Sequence, residues 1–276
     1  MTATSPIYCR ASMNYTRREA DDTCAVDVDV HDARQTNLPA WTECGFQLLA
    51  HRAQVTDWND DVEISATHYA ELALLARQLT GCDHALVAGH IKRNPQQAAL
   101  HADYAPIAYV HSDFAASYGA AIREMYSSDG DRDGSAAALV RAGITADVVR
   151  RASRTVILQF WRNIGPELMD QPLAFCDVRT VPASDVRAVP VLNYANSGFN
   201  FDTLAMLPPV APRRHDWYVY PAMNAHEVVA FRTYDSDRVT VGAAFWTPHS
   251  AFHDPRVHPG QPSRSSIELR ATCLFV

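Results

Sequence analysis

The sequence predicts a mainly β fold, a sandwich or jelly-roll barrel with helices packed against it. Helical spacing is concentrated in the N-terminal half of the chain, whereas segments rich in β-branched and aromatic residues follow one another from residue 154 onward. Pro, Gly, Asp and Asn bound these segments and mark turns. The length of 276 residues is sufficient for one large core. Short strands at close intervals beside a helical half favour such a barrel.

The N-terminal segment is interpreted as a flexible arm over residues 1–25, and we expect a single domain over residues 26–276. The acidic residues Asp27, Asp29 and Asp32 are interpreted as a solvated strand edge and not as a metal site. The segment lacks the apolar core of a signal peptide, and no apolar run is long enough to span a bilayer. We therefore expect a cytoplasmic protein with no membrane partner.

The first helix with a clear signal is "HYAELALLARQLTG", which begins at His68. Leu72, Leu75 and Leu79 follow helical spacing, and Gly81 supplies a typical C-terminal stop. Further helix is predicted over residues 115–126 and 136–152, on either side of the turn-rich stretch "SSDGDRDG".

The strands are predicted from runs of β-branched and aromatic residues. They cover residues 154–161, 217–221, 227–235, 238–246 and 265–276. The stretch "NYANSGFNFDTLAML", residues 193–207, is rich in loop-type residues and is interpreted as a lid.

The composition argues against several classes of partner and of site. The net charge is −7 and Lys92 is the only lysine, so no basic stripe is available for a nucleic acid backbone. The six cysteines are scattered without a C-x-x-C pair and are interpreted as reduced, packed thiols. We expect a small-molecule substrate and no nucleic acid partner, and a homodimer is left open.

The stretch "YVHSDFA" contains the first candidate chemistry. Side chains alternate along a strand, so His111 and Asp113 project from the same face and are able to share one ligand. The alternative is a half-buried histidine hydrogen-bonded to its neighbouring carboxylate, which is a common packing arrangement. A third ligand is needed to favour a metal site.

His249, in "FWTPHSAFHDP", is the preferred third ligand because it closes a predicted strand late in the chain. A jelly roll folds such a strand back beside an earlier one. Two histidines and one carboxylate leave the opposite positions of a metal open, as in non-haem Fe(II) oxygenases. His253 and His258 remain alternatives for this role.

The stretch "RSSIELR" offers a carboxylate-binding site. Alternation places Arg264, Ser266, Glu268 and Arg270 on one strand face. An R-x-S pair is able to hold the distal carboxylate of 2-oxoglutarate through a charge-assisted fork and a hydroxyl. The alternative is a solvent-facing Arg/Glu ladder.

Other chemistries lack their motifs. "AHEVVAF" starts like a zinc-protease helix, but Ala230 stands where H-E-x-x-H requires its second histidine. The sequence contains no G-x-S-x-G elbow, no dinucleotide fingerprint and no phosphate loop. Hydrolase, dehydrogenase and kinase functions are therefore not supported.

The chain resembles the hydroxylase/desaturase family of Fe(II)/2-oxoglutarate-dependent oxygenases, which includes gibberellin-desaturase-like proteins, the cephamycin methoxylase component and meroterpenoid-tailoring enzymes. The resemblance runs through most of the chain from about residue 28 to the C-terminus. The matching stretches are "VHDAR", "GFQLLAH", "VHSD", "FWRNIGPELMDQPLAFCDVRTV", "WYVYPAMNAHEVVAFRTYDSD", "TPHSAFHDP" and "RSSIELRA".

This resemblance implies a double-stranded β-helix, or jelly-roll, core with flanking helices. It implies that His111, Asp113 and His249 bind Fe(II), with O₂ and the co-substrate 2-oxoglutarate. It also implies that Arg264 binds 2-oxoglutarate, assisted by Ser266 or Arg270. Gln159 stands where the family has Asn, and we expect it to contact 2-oxoglutarate.

The function expected from the resemblance is C–H abstraction from a small secondary metabolite, which gives hydroxylation, desaturation or a related rearrangement. Two alternatives stay open at this stage. One is a non-oxygenase metal enzyme or isomerase on the same barrel, and the other is a catalytically silent jelly roll that binds a ligand.

Overall fold

Two β-sheets form the framework of the protein. The computed structural model describes residues 5–17, 22–127, 134–211, 214–258 and 260–276. The strands are β1 Ile7–Thr16, β2 Thr23–Asp32, β3 Phe46–Ala50, β4 His84–Arg93, β5 His111–Ser112, β6 Arg154–Asn163, β7 Leu173–Cys176, β8 Val186–Tyr194, β9 Phe199–Met206, β10 Trp217–Val219, β11 Glu227–Asp235, β12 His249–Ala251 and β13 Ser266–Phe275.

Short helices cover the sheets and connect their strands. The α-helices are α1 Trp41–Cys44, α2 Asp61–Glu63, α3 Tyr69–Thr80, α4 Pro95–Leu100, α5 Tyr118–Ser127, α6 Ser135–Ala142, α7 Ala146–Arg151 and α8 Ser236–Thr240. A π turn, Ile64–His68, joins α2 to α3. In the described ranges, none of these helices has the length and apolar character needed to cross a membrane.

The sheets have the strand order of a jelly roll. The eight-stranded sheet runs β1-β2-β10-β7-β12-β5-β9-β8, and the five-stranded sheet runs β3-β11-β6-β13-β4. Except for the pairs β1-β2 and β8-β9, neighbours in these orders are not consecutive in sequence, because the chain crosses repeatedly from one sheet to the other. The mainly β, double-stranded β-helix core predicted from the sequence is confirmed.

The core lies between the sheets and continues outside the smaller one. Phe46 stacks on Phe175 with ring centroids 5.3 Å apart, which joins one sheet to the other. On the outer face of the five-stranded sheet, Leu72 of α3 packs in a buried cluster with Leu158 and Leu269. β6 therefore lies between two apolar layers, and its residues from Val156 onward are all buried.

Residues 7–16, predicted to belong to a flexible arm over residues 1–25, form a regular strand. This stretch is β1, which pairs antiparallel with β2. Met13 and Tyr15 are fully buried, and the indole Nε1 of Trp217 donates a 2.9 Å hydrogen bond to the Tyr15 hydroxyl. The alternation of inward and outward side chains in "IYCRASMNYT" indicates a strand, which the prediction of a flexible arm did not take into account. Residues 1–4 and 18–21 lie outside the described residues.

β1 covers one side of β2, but on the other side β10 pairs only with residues 30–32, so in the described residues Asp27 and Asp29 lie at an open strand edge as predicted, and Asp32 does not. Asp27 is exposed, as expected for a solvated residue. Asp32 is buried, and its carboxylate accepts a 2.8 Å hydrogen bond from the backbone N–H of Arg34. Asp32 thus stabilises the turn that follows β2.

The helix predictions are confirmed in outline. α3 ends at Gly81, whose φ of 72° is the left-handed conformation that a C-terminal glycine favours. The helix expected over residues 136–152 is divided into α6 and α7, because Gly143, with φ 67°, ends the first of them. Residues 128–133 of the turn-rich stretch lie outside the described residues.

One strand prediction, residues 238–246, is wrong. Ser236–Thr240 forms α8, and the Asp235 side chain caps it by accepting from the N–H of Asp237. Gly242, with φ 68°, then breaks any extended run. A local capping signal therefore overrides the β-branched composition of this stretch. The other four predicted strands correspond to β6, β10, β11 and β13.

Candidate active site

Two paired strands bring His111 and His249 together. β5 and β12 are antiparallel, with His111 directly opposite His249 in the register. Directly opposed residues in an antiparallel pair project to the same side of the sheet. The two imidazole centroids are accordingly 4.3 Å apart. Asp113 lies just beyond the end of β5 and turns its side chain toward the same point.

The hydrogen bonds of both rings orient their Nε2 atoms toward Asp113. Nδ1 of His111 donates to the Tyr109 carbonyl at 2.9 Å, and Nδ1 of His249 donates to the Thr247 carbonyl at 3.0 Å. A proton on Nδ1 leaves the lone pair of each neutral ring on Nε2. The two Nε2 atoms are 3.8 Å and 3.7 Å from Oδ1 of Asp113.

The three side chains fit a divalent transition metal. They are buried, and their donor atoms lie within 4.8 Å of one another. Oδ2 of Asp113 is buried and has no hydrogen-bond partner in the described residues, a costly state for a carboxylate unless a cation completes it. Burial, reinforced by His249, holds the pKa of His111 well below its ordinary value, so this ring stays neutral as a ligand must. Two imidazoles and one carboxylate on one face suit ferrous iron.

The other two candidate histidines lie elsewhere. His253 and His258 are exposed, and neither belongs to this cluster. Within the described ranges, the cluster of His111, Asp113 and His249 is the one group of three or more such side chains with metal-binding spacing.

Arg264 and Ser266 lie beside the cluster. The Arg264 guanidinium is buried, and its Nε donates a 2.9 Å hydrogen bond to Oγ of Ser266. It lies over the Trp161 ring, 5.1 Å from the centroid, which fixes its plane. Together with the three clustered side chains, Arg264 lines a narrow cavity of about 20 Å³. Burial, aided by the positive charge of Arg93, lowers the pKa of Arg264, as expected for a desolvated cation without a paired anion.

Glu268 is engaged in a buried ion pair that sequence reasoning did not find. Nε and a terminal nitrogen of Arg93 donate to Oε1 of Glu268 at 3.1 Å and 2.7 Å. The other terminal nitrogen of Arg93 donates to the carbonyls of Asp103 and Ala105. The strand face is therefore an interior wall, and the solvent-facing ladder is wrong. Arg93 is a single basic residue on β4 without a motif, so no local signal marked it.

Arg270 and Gln159 lie on a different side of the cluster. They are directly opposed on β13 and β6. Both line a cavity of about 360 Å³, and neither lines the narrow cavity that contains Arg264. Arg270 also lines a third cavity, of about 290 Å³, whose wall includes His111 and Asp113.

Aromatic side chains surround these larger cavities. Phe114 and Tyr118 stack with centroids 3.7 Å apart on one wall, while Phe199 and Phe201 stack at 5.1 Å. Residues 193–207, expected to be a lid, form the end of β8, a turn and β9. Tyr194 in this hairpin lines both larger cavities. Movement of the hairpin stays a prediction.

Comparisons with known proteins agree with the geometry. A protein family described as an oxidoreductase/YMDC permease-like domain matches residues 2–274. The hydroxylase/desaturase efuI of Hormonema carpetanum is 30% identical over 235 residues, which cover 82% of this chain and 75% of the relative. The alpha-ketoglutarate-dependent dioxygenase phiK of a fungal species is 25% identical over 248 residues, which cover 90% of this chain and 83% of the relative.

A solved structure has the same fold. It is that of the iron and alpha-ketoglutarate-dependent endoperoxidase NvfI, with a TM-score of 0.77 and 20% identity over 98% of this chain and 99% of that one. The sequence match to efuI and the triad geometry lead to one assignment. The chain belongs to the hydroxylase/desaturase family of Fe(II)/2-oxoglutarate-dependent oxygenases.

Proposed function

We propose that the protein is an Fe(II)/2-oxoglutarate-dependent oxygenase that removes hydrogen from a C–H bond of a small secondary metabolite, with His111, Asp113 and His249 as its iron ligands. The observation that carries this proposal is the buried cluster of two Nε2 atoms and one unsatisfied carboxylate beside a buried arginine. When bound, ferrous iron and 2-oxoglutarate would supply the electrons that activate O₂, and O₂ would be the oxidant.

Backbone hydrogen bonds orient the two imidazole rings. The Nδ1 bonds of His111 and His249 to backbone carbonyls hold both rings in the tautomer that presents Nε2. Because all three ligands come from one wall of the barrel, the opposite face of the site remains open to co-substrate and O₂. Burial of the cluster excludes bulk water from that face.

Arg264 and Ser266 are proposed to hold the distal carboxylate of 2-oxoglutarate. The Ser266 hydroxyl already accepts from Nε of Arg264, which leaves the terminal nitrogens of the guanidinium for an anion. One of these makes only a 3.4 Å bond to the Gln171 carbonyl, a weak contact that a carboxylate would displace. The guanidinium fork and the three clustered side chains line the same narrow cavity, and this adjacency supports a co-substrate that contacts both.

The larger cavities are proposed to hold the metabolite. Volumes of about 360 Å³ and 290 Å³ fall in the range of small-molecule sites. The cavity of about 290 Å³ reaches His111 and Asp113, so a ligand there lies next to the metal position.

An anaerobic titration tests this function. Addition of 2-oxoglutarate to the protein with Fe(II) should produce a weak charge-transfer band in the visible region, and Asp113→Ala should abolish it. Arg264→Gln should raise the 2-oxoglutarate concentration at half-maximal band by roughly tenfold or more, because a charge-assisted pair is lost. His253→Ala, at an exposed histidine outside the cluster, is the matched control and should titrate like the parent protein.

The contrary outcomes separate the alternatives. Fe(II) binding without a 2-oxoglutarate-dependent band would favour a non-oxygenase metal enzyme or isomerase. No Fe(II) binding would favour a silent ligand-binding jelly roll. Either result would overturn the proposal.

A further inference from the structure

We propose that Arg270 binds a carboxylate of the metabolite substrate, so that this enzyme acts on an apolar carboxylic acid whose hydrocarbon skeleton fills the cavity of about 360 Å³. The inference rests on the proposed function and names the substrate class for it. The proposal assigns Arg270 and Gln159 to the substrate and Arg264 and Ser266 to 2-oxoglutarate, whereas the sequence predicts all four as co-substrate contacts.

Position is the first argument. Arg264 lies just before β13 and Arg270 lies within it, and the two side chains line different cavities. Arg264 lines the narrow cavity with all three ligand side chains. Arg270 lines the two larger cavities, where its guanidinium lies over the Phe114 ring at 5.0 Å from the centroid. One 2-oxoglutarate held by Arg264 would therefore leave Arg270 facing the substrate side.

Unsatisfied polar atoms are the second argument. Nε of Arg270 is buried and has no hydrogen-bond partner among the described residues, and the same is true of Oε1 of Gln159 opposite it. A buried Nε–H that lacks an acceptor in the described residues is costly, and a fork-shaped cation is suited to a carboxylate through two parallel bonds. The Gln159 oxygen is an acceptor for a hydroxyl hydrogen of the same ligand.

Charge balance is the third argument. In the described residues, Arg93, Arg264 and Arg270 face the two buried carboxylates of Asp113 and Glu268 across these adjoining cavities. Fe(II) and the 2-oxoglutarate dianion cancel each other. One positive charge is then left over, and because Glu268 is already paired with Arg93, it falls on Arg270. A monoanionic substrate would neutralise it.

One further carboxylate in the wall does not change this balance. The Asp103 side chain is 39% exposed and lies 3.5 Å from Nδ1 of His101. It also accepts a 2.7 Å hydrogen bond from the backbone N–H of Ala195. Water and these partners compensate the Asp103 charge, so Asp103 does not balance the charge of Arg270.

The lining of the cavity defines the rest of the substrate. Phe114, Ile122, Met125, Ile157 and Phe199 contribute apolar walls. Such a surface favours a hydrocarbon skeleton over a sugar or a peptide, because polar groups against these apolar walls would lose water without replacement. Arg270 also borders the cavity that reaches His111 and Asp113, so the anchored acid lies between the apolar chamber and the metal position.

The test compares an acid with its neutral amide. Pyrenebutyrate and pyrenebutyramide share one apolar body, and their fluorescence reports binding to the anaerobic protein saturated with Fe(II) and 2-oxoglutarate. The parent protein should bind the acid roughly tenfold or more tightly than the amide. Arg270→Gln should remove this preference by weakening acid binding alone. Arg270→Lys should retain part of it, because the charge is kept while the fork is lost.

Controls make each outcome decisive. Arg151→Gln, at an exposed arginine on α7, should leave both affinities unchanged. Equal binding of acid and amide by the parent protein would overturn the inference, and this comparison needs no variant to fold. The inference would also be overturned if Arg270→Gln weakened the binding of 2-oxoglutarate and left the binding of the acid unchanged. Failure of the proposed function would show separately, as the absence of the charge-transfer band in the parent protein.

Discussion

The buried pair of Arg93 and Glu268 allows a quantitative prediction for Arg93→Met. The substitution removes two charge-assisted bonds to Glu268, at 3.1 Å and 2.7 Å, and two bonds to backbone carbonyls. Both side chains are buried, with 4% and 10% exposed. Loss of one member of a buried pair leaves the other uncompensated, at a cost of about 3–5 kcal/mol in the free energy of unfolding. For a chain of this size, the melting temperature should fall by roughly 6–20 °C.

The pH dependence of this loss follows from the Glu268 carboxyl. Burial raises its pKa, but the charge and hydrogen bonds of Arg93 outweigh burial, so the net pKa is below the ordinary value. The pair therefore stabilises the parent protein above the ordinary carboxyl pKa, and this contribution is lost as the pH falls through the folded-state pKa. Without Arg93, burial is opposed only by the weaker attraction of Arg270 and Arg264, so that pKa should rise. Glu268 then takes up a proton in mildly acidic solution, so the penalty of Arg93→Met should shrink there.

Urea unfolding at pH 7.5 and pH 5, followed by circular dichroism, measures both effects. Arg151→Met is the matched control, because its ion pair with Asp147 is more than half exposed on both sides, and it should cost no more than about 0.5 kcal/mol. The reasoning is refuted if Arg93→Met costs less than about 1 kcal/mol at pH 7.5. A penalty that is the same at both pH values would refute the electrostatic explanation.

Three further predictions concern a steric contact, a buried hydrogen bond and the exposure of a thiol. A Cβ on Gly119 would collide with the Tyr234 hydroxyl, so Gly119→Ala should lower the free energy of unfolding by about 1–3 kcal/mol, and Tyr234→Phe in the same chain should restore part of it; chemical denaturation of both variants checks this. Tyr15→Phe leaves the buried Trp217 N–H without its acceptor, so it should cost about 1–3 kcal/mol in the same measurement, and no loss would show that this hydrogen bond adds no stability. Cys24 is half-buried and the other five cysteines are buried, so Cys24 should react first with iodoacetamide, and Cys24→Ser should remove the fast phase seen by mass spectrometry.

Some strands are predictable from local sequence, and others depend on contacts that local sequence does not specify. Composition and period located β6, β11 and β13 closely, because a strand buried on one or both faces needs apolar side chains whatever its partners are. The same reasoning failed at residues 238–246, where the Asp235 cap starts a helix instead. It also missed β1, since its short alternating pattern becomes a strand only through pairing with β2.

The candidate site likewise has one part that local sequence predicts and one part that only the fold specifies. Strand alternation alone predicts that His111 and Asp113 share a face, and it also orders Arg264, Ser266, Glu268 and Arg270 along one wall. The family resemblance singled out position 249 among three nearby histidines. The spacing along one strand is a local property, so the sequence is able to specify it.

Relations between distant segments required the folded chain. The register of β12 on β5 brings His249 to His111, and the adjacency of β4 and β13 pairs Arg93 with Glu268. The sheet topology also directs Arg264 and Arg270 into separate cavities. Hydrogen-bond register and cavity shape depend on every strand between the segments concerned. The sequence by itself therefore determined which side chains are available for chemistry, and the tertiary structure decided which of them meet.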